Sequence, residues 1–323
     1  MRPFVKLIAA RLAAGVMVLF CVSILVFVAT QALPSDPAMA ILGRSATPEG
    51  LATLRQQLHL NDPAWLQYLK WITGIFHGDL GLSVGEQARR PVTEIIGPQI
   101  LNSALLMLIA SVVAIPLAIL IGVVSGLKRD RAFDNVTSLV SLILAAMPEF
   151  VIGVGLIFVL ATGRLKLFPA VSFIDPDVPL LQQLFKLVLP AMVLVLAVTP
   201  YVARMMRASV IEVLESDYIE MARLKGLSPR YILSRHVLPN AIVPTISVLA
   251  LQFAYLAGSV VVVESVFSYP GIGSGLAEAV ANRDLPTIQA LTMFIGCLYV
   301  ILNLVADILT IIVSPRLRVG YRE

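Results

Sequence analysis

Six long apolar stretches decide what this chain can become. They run at about 7–33, 100–127, 133–162, 186–202, 241–267 and 287–313. Nearly all exceed the roughly 18 residues that mark a membrane-spanning segment. In lipid the backbone must satisfy its own polar groups, so each stretch is expected to be a helix. Composition agrees: 58% of the 323 residues are hydrophobic and 14% are charged, where a soluble domain carries about a quarter charged residues. The expectation is an all-α polytopic membrane protein with six transmembrane helices. The first stretch is too long for a signal-peptide h-region and no clear small-x-small cleavage site follows, so it is read as an uncleaved span.

The total charge of +4 says little; its placement says more. If the chain starts inside, 15 of its 24 Lys and Arg residues fall on the inner side. They cluster at Arg2 and Lys6, at Lys128, Arg129 and Arg131, between Arg204 and Arg235, and at Arg316 and Arg318. Most of the rest lie in the long first outer segment, which counts least because long loops cross regardless of charge. Both termini are therefore expected in the cytoplasm.

Between the first two spans lies a polar segment, Leu33 to Pro98. Thr47-Pro48 should start a helix with Leu51, Leu54 and Leu58 on one face. Asp62-Pro63 should start another, with Trp65, Leu69, Ile72 and Phe76 at helical spacing, ending at Gly78-Asp79-Leu80-Gly81. We read these stripes as the core of a small helical cap. Gly122 and Gly126 in the second span form a small-xxx-small pair that permits close helix approach. Pro148-Glu149 interrupts the third span. A carboxylate at that depth is expensive and faces protein or water. Glu149 is thus a candidate pathway residue or a packing residue bonded to backbone groups that Pro148 frees. Glu264 closes the fifth span before Phe267-Ser268-Tyr269-Pro270-Gly271-Ile272-Gly273, read as an outer turn. Asp307 in the sixth span is read as a structural carboxylate, with a pathway role as the alternative.

The longest polar interval with helix signals on both sides of a single Gly runs from Ser216 to Asn240. Asp217 is expected to cap a short helix, with Glu220 at capping-box spacing. Tyr218, Met221 and Ala222 fall on one face. Gly226 should close the helix in a left-handed conformation. Ser228-Pro229 should open a second helix, and Pro239 should stop it.

These residues carry a resemblance. Glu220-Met221-Ala222, Gly226, and Leu238-Pro239 resemble the EAA loop of ABC-importer permeases, with Met221 in place of the first Ala and His236 in place of an Ile. The outer segment is similar to that of the dipeptide/oligopeptide (peptide/nickel/glutathione) permease family. Its matching residues are Leu33-Pro34-Ser35-Asp36-Pro37, Leu60-Asn61-Asp62-Pro63, Gln67-Tyr68 and Gly78-Asp79-Leu80-Gly81-Leu82-Ser83. The run from Glu264 to Gly273 and the ending Asn303, Asp307, Pro315-Arg316 resemble that family too. The resemblance implies the type I ABC importer permease fold and the first-permease (B-type) subunit. It implies a bacterial plasma membrane, with a second homologous permease, two cytoplasmic ABC ATPases, an extracytoplasmic solute-binding protein and a peptide substrate as partners. It makes Asp217, Tyr218, Glu220, Met221, Ala222, Gly226, Leu238 and Pro239 an ATPase-coupling loop. Relatives in the family also carry nickel complexes, glutathione or haem.

The expected organisation is 1–98 for the first span and outer helical segment, 99–314 for the permease domain with its coupling loop at 203–240, and 315–323 for a cytoplasmic tail. No His-Glu-x-x-His, phosphate-loop or dinucleotide fingerprint occurs in the sequence. Cys21 and Cys297 sit inside apolar runs, and His59, His77 and His236 are far apart. No catalytic residue, metal or cofactor is expected, and no nucleic-acid partner. A secondary transporter should show repeated broken spans in matching halves; one dominant loop fits that poorly.

Overall fold

The computed structural model describes residues 2–32, 38–39, 47–57, 61–84, 90–163, 166–175 and 178–313. Leu33–Pro37, Leu58, Leu60 and the ending from Ser314 through Arg318 lie outside them. Among the described residues the α-helices are, in order, α1 Arg2–Ala32, α2 Pro48–Gln57, α3 Ala64–His77, α4 Val92–Leu127, α5 Ala132–Ala146 and α6 Glu149–Leu156; then α7 Leu180–Leu214, α8 Asp217–Leu224, α9 Pro229–Ile232, α10 Leu238–Phe267, α11 Ile272–Ala281 and α12 Leu285–Val313. Among the described residues the one extended pairing is an isolated bridge between Leu82 and Pro91. Among the described residues five helical stretches are long and apolar enough to cross a membrane. The pair α5 and α6, extended by a π-helical turn over Ile157–Thr162 and bent by 108°, makes a sixth if the two are taken as one broken span. Pro148 explains the break. It lacks an N–H and forces Met147 out of the helical region, to φ −91° and ψ 132°.

The chain forms two compact units. The first comprises Met1–Gly15, Leu105–Tyr269 and Tyr299–Glu323. Its core is built on a four-residue repeat along α4, Leu106, Ala110, Ala114 and Ala118, packed with Leu194, Val198 and Val202 of α7 and Leu256, Val260 and Phe267 of α10. The small-residue seam continues into Gly122 and Gly126. A Cβ on Gly122 would sit 2.6 Å from the Ala203 carbonyl oxygen, and one on Gly126 would sit 2.7 Å from the Val210 side chain. The close approach expected of this pair is present. In the same unit Arg11 meets Asp307 at 3.2 Å, joining the start of α1 to α12.

The second unit comprises Val16–Ala104 and Pro270–Leu298. Val92 and Ile96 pack with Ile272, Ala290 and Leu291. Asp284 is 4% exposed and accepts from Ser83 Oγ at 2.5 Å, Val84 N at 3.1 Å and Thr287 Oγ1 at 2.7 Å. The Gly78–Ser83 run exists to make that connection. Gly78 and Gly81 take φ of 78° and 82°, and Asp79 accepts from the Gly81 N–H at 2.9 Å, so the chain turns sharply and delivers Ser83 to Asp284. Asn102 and Ser103 of α4 hold the turn at Pro270–Ile272, through Asn102 Nδ2 to the Pro270 carbonyl at 2.8 Å and the Ile272 N–H to Ser103 Oγ at 2.9 Å.

One expectation for the outer segment fails. Trp65, Leu69 and Phe76 are not the core of a cap: they are 64%, 49% and 84% exposed, and Ile72 of the same stripe is half-buried. The packing face of α3 is its flank, where Tyr68 and Trp71 meet Phe27.

Candidate functional site

α7 runs unbroken through Pro190 and Pro200 to Leu214 and delivers the chain to α8. Ser216, with φ −78° and ψ 146°, is the N-cap of α8, and its side chain makes no capping bond. Asp217 is therefore the first helical residue rather than the cap, and Glu220 closes no capping box. Both are exposed acids in the first turn, where they favour the helix dipole. The helix closes as expected. Gly226 takes φ 75°, the Leu227 N–H reaches the Ala222 carbonyl at 3.2 Å, and the Gly226 N–H reaches that of Arg223 at 2.9 Å. These paired bonds are the Schellman closure. Ser228 then caps α9, its Oγ accepting from the Tyr231 N–H at 3.4 Å, with Pro229 at the first helical position.

Pro239 does not stop the second helix. The chain stays helical from Pro229 to Phe267. A π-helical turn over Leu233–Val237 widens the coil directly before α10, and Pro239 follows that widened turn.

The two faces of α8 differ in a way the spacing of Tyr218, Met221 and Ala222 misassigned. Ile219 and Ala222 are buried in a cluster with Val123 of α4, Met206 and Val210 of α7, Ile232 of α9, and Val237 and Ala241. Tyr218, Met221 and Leu224, at three-residue intervals, stand 46%, 54% and 76% exposed. Leu227 and Tyr231 extend that apolar surface. Arg223, Lys225 and Arg230 are exposed around it. Leu238 is partly buried against the cluster and Pro239 is exposed. The arrangement is a short helix packed against three long helices on one side and presenting an apolar stripe on the other.

The remaining candidates are dispersed. Glu149 opens α6 directly after the bend. Its Oε1 accepts from the Tyr255 hydroxyl and, at 2.9 Å, from Ser259 Oγ, both on α10. It lines a cleft of about 450 Å³ with Tyr255, Ser259, Tyr299 and Asn303 against Leu251, Ala254 and Val262. Glu264 is fully buried, and its carbonyl accepts from Tyr269 N at 2.9 Å. Burial, with the neighbouring Glu264 carboxylate, pushes the Tyr269 hydroxyl well above its ordinary pKa. Asp307 is the ion-pair partner of Arg11. Sequence reasoning missed the pair Asp134–Arg207: Asp134 is 1% exposed and takes two bonds from the guanidinium. An acid at the start of an apolar helix was the available signal.

Apolar helices long enough to cross a membrane, one pair sharply bent, with a helical loop between two long spans, define a polytopic membrane protein. The chain belongs to the family described as binding-protein-dependent transport system inner membrane component, whose model matches residues 114–319. A second model, for the N-terminal part of such membrane components, matches residues 4–92. A putative peptide transport system permease protein of Brucella abortus is 37% identical over 313 residues, covering 97% of this chain and 98% of the relative. The oligopeptide transport system permease protein AppB of Bacillus subtilis is 34% identical, covering 96% and 98%. The glutathione transport system permease protein GsiC of Escherichia coli is 34% identical, covering 95% and 97%.

Proposed function

We propose that this chain is the first-permease subunit of an ATP-driven importer of di- or oligopeptides, with α8 as its contact to the ATPases. The observation that carries the reading is the exposed stripe Tyr218, Met221 and Leu224 on a helix whose other face is locked to α4, α7 and α10. Such a helix transmits a push instead of absorbing it. Relatives named for peptide and oligopeptide transport, aligned over nearly their whole length, support the substrate class.

In this reading, residues 1–98 form the first span and an outer helical segment and residues 99–314 form the permease domain. The coupling loop is 203–240 and a cytoplasmic tail covers 315–323. A solute-binding protein delivers the peptide from outside, and the outer segment receives it, with exposed positions such as Arg55 on the polar helix α2. A second permease completes the pathway. Two ATPases close on ATP and move α8 of each permease, switching access between the two sides. ATP drives the switch only through its different affinity for the two states. Hydrolysis resides in the ATPases, and this chain supplies the path and the coupling. The basic residues beside α8 favour an inner location for that loop, and both termini are inner as well.

The test is uptake into vesicles by the reconstituted complex, using labelled di- and oligopeptides beside glutathione and nickel complexes. ATP-dependent uptake of peptides is expected. Uptake of glutathione or nickel complexes in place of peptides contradicts the substrate class. Ser228→Cys checks orientation: labelling by an impermeant thiol reagent added outside intact cells contradicts an inner α8.

A further inference from the structure

α3 carries three kinds of face on one turn-by-turn pattern. Tyr68 and Trp71 form the anchored flank. Their rings lie 5.4 Å and 6.1 Å from that of Phe27, and the Tyr68 hydroxyl is 2.8 Å from Ser23 Oγ. Gln31 donates to Gln67 at 2.8 Å on the same side. Lys70, Thr73 and His77 form a polar flank, with Lys70 paired to Asp62 at 2.7 Å. Between these flanks stand Trp65, Leu69 and Phe76, all exposed. Their offsets of four and eleven residues keep them in one narrow stripe.

The anchors fix the depth of that stripe. Ser23, Phe27 and Gln31 belong to the outer end of α1, whose apolar stretch runs Ile8–Ala32. At 1.5 Å per residue, Ser23 lies roughly 13 Å inward of Ala32, well inside a hydrocarbon core about 30 Å thick. On α1 itself Ile24, Leu25 and Val28, large apolar side chains, are exposed at this level as well. Water at that depth would leave a Trp, a Leu and a Phe solvated beside a membrane span. Acyl chains cover them at no such cost, while the polar flank with Lys70 reaches the headgroups.

From this geometry we infer that α3 is an interfacial membrane helix, with Trp65, Leu69 and Phe76 seated among the acyl chains of the outer leaflet. Its role is to clamp the outer end of α1 and to fix the height of the outer segment at the membrane. The inference needs α1 to cross the bilayer; it does not depend on what is transported.

The sequence provides its own probe, because Trp65 and Trp71 are its only tryptophans. In the assembled transporter, reconstituted in phosphatidylcholine vesicles, the emission of wild type minus that of Trp65→Phe isolates Trp65. Trp65 is exposed, so Phe there leaves packing intact. The expected result is blue-shifted Trp65 emission, mostly lost when the acyl chains carry bromine and little affected by acrylamide in the water. Quenching by acrylamide and not by brominated lipid would put the face in water, open to a binding protein, and overturn the inference. Indifference to both quenchers would put it under protein, such as the second permease, and overturn it equally.

Discussion

Arg207 grips Asp134 with two parallel bonds, Nε to Oδ1 at 2.5 Å and Nη2 to Oδ2 at 2.7 Å, and the Asp130 N–H adds a third to the same carboxylate at 3.0 Å. The pair fastens α7, which leads into α8, to α5, which leads into the bend at Pro148. Planar, bidentate geometry is specific to Arg. Asp134→Ala should cost about 1.5–3 kcal/mol, the worth of charged hydrogen bonds, since the half-buried guanidinium can still reach water. Arg207→Lys should recover only part of what Arg207→Ala loses. Thermal unfolding of the purified transporter checks both; a wild-type melting point for Asp134→Ala would mean the pair is dispensable.

The seam between α4 and α7 makes a second prediction. A side chain at Gly122 or Gly126 has no room, since backbone and side-chain atoms stand 2.6–2.8 Å from its Cβ. Gly122→Leu and Gly126→Leu should each lower stability by about 1–3 kcal/mol, the usual cost of overpacking, or more. Gly155→Ala, where nothing lies within 4 Å, is the control and should be neutral or slightly stabilising. Membrane yield and melting temperature read the difference.

For Glu149 the bonds from Tyr255 and Ser259 separate two roles. Glu149→Gln keeps the size and an acceptor oxygen but removes the charge. If the carboxylate serves the pathway, peptide uptake falls while assembly and stability hold. If it only packs, Glu149→Gln transports like wild type and Glu149→Leu is well tolerated. We expect the first outcome, because the residue lines an open, partly polar cleft.

Much of this was readable from single residues. The spans announced themselves by length, Gly226 by its place between two helix signals, and Ser228-Pro229 by cap chemistry. The Gly122–Gly126 approach followed from size alone. Other features were hidden for physical reasons. The Ala110, Ala114 and Ala118 repeat lies in a helix apolar on all sides, so no period stands out. Pro148 signalled a break but not its 108° bend, which depends on what α6 packs against. Asp134 and Arg207 are separated by 73 positions, and nothing local pairs them. On α8 both Ile219 with Ala222 and Tyr218 with Met221 are apolar pairs; only packing decides which turns outward.

That outward face decides which variants test docking. Ala222 is buried, so Ala222→Glu should damage the cluster beneath α8 and the fold with it. Met221→Glu should leave melting unchanged and weaken the ATPase contact, because the charge enters the exposed stripe. Co-purification of the ATPases with each variant, beside a melting curve, checks the contrast. Loss of ATPase binding by Ala222→Glu alone would move the contact elsewhere.

The central claim is that α8 couples ATPase to permease, and Gly226 tests it most directly. At φ 75° a residue with a Cβ is strained by about 1–2 kcal/mol. Yet no atom within 4 Å blocks the Cβ position, so the long helices have no reason to unfold. The measurement is ATP-dependent transport together with ATPase co-purification for Gly226→Asp. The account predicts a protein that still inserts in the membrane, holds its ATPases weakly and does not transport. Normal transport with the ATPases attached would contradict it.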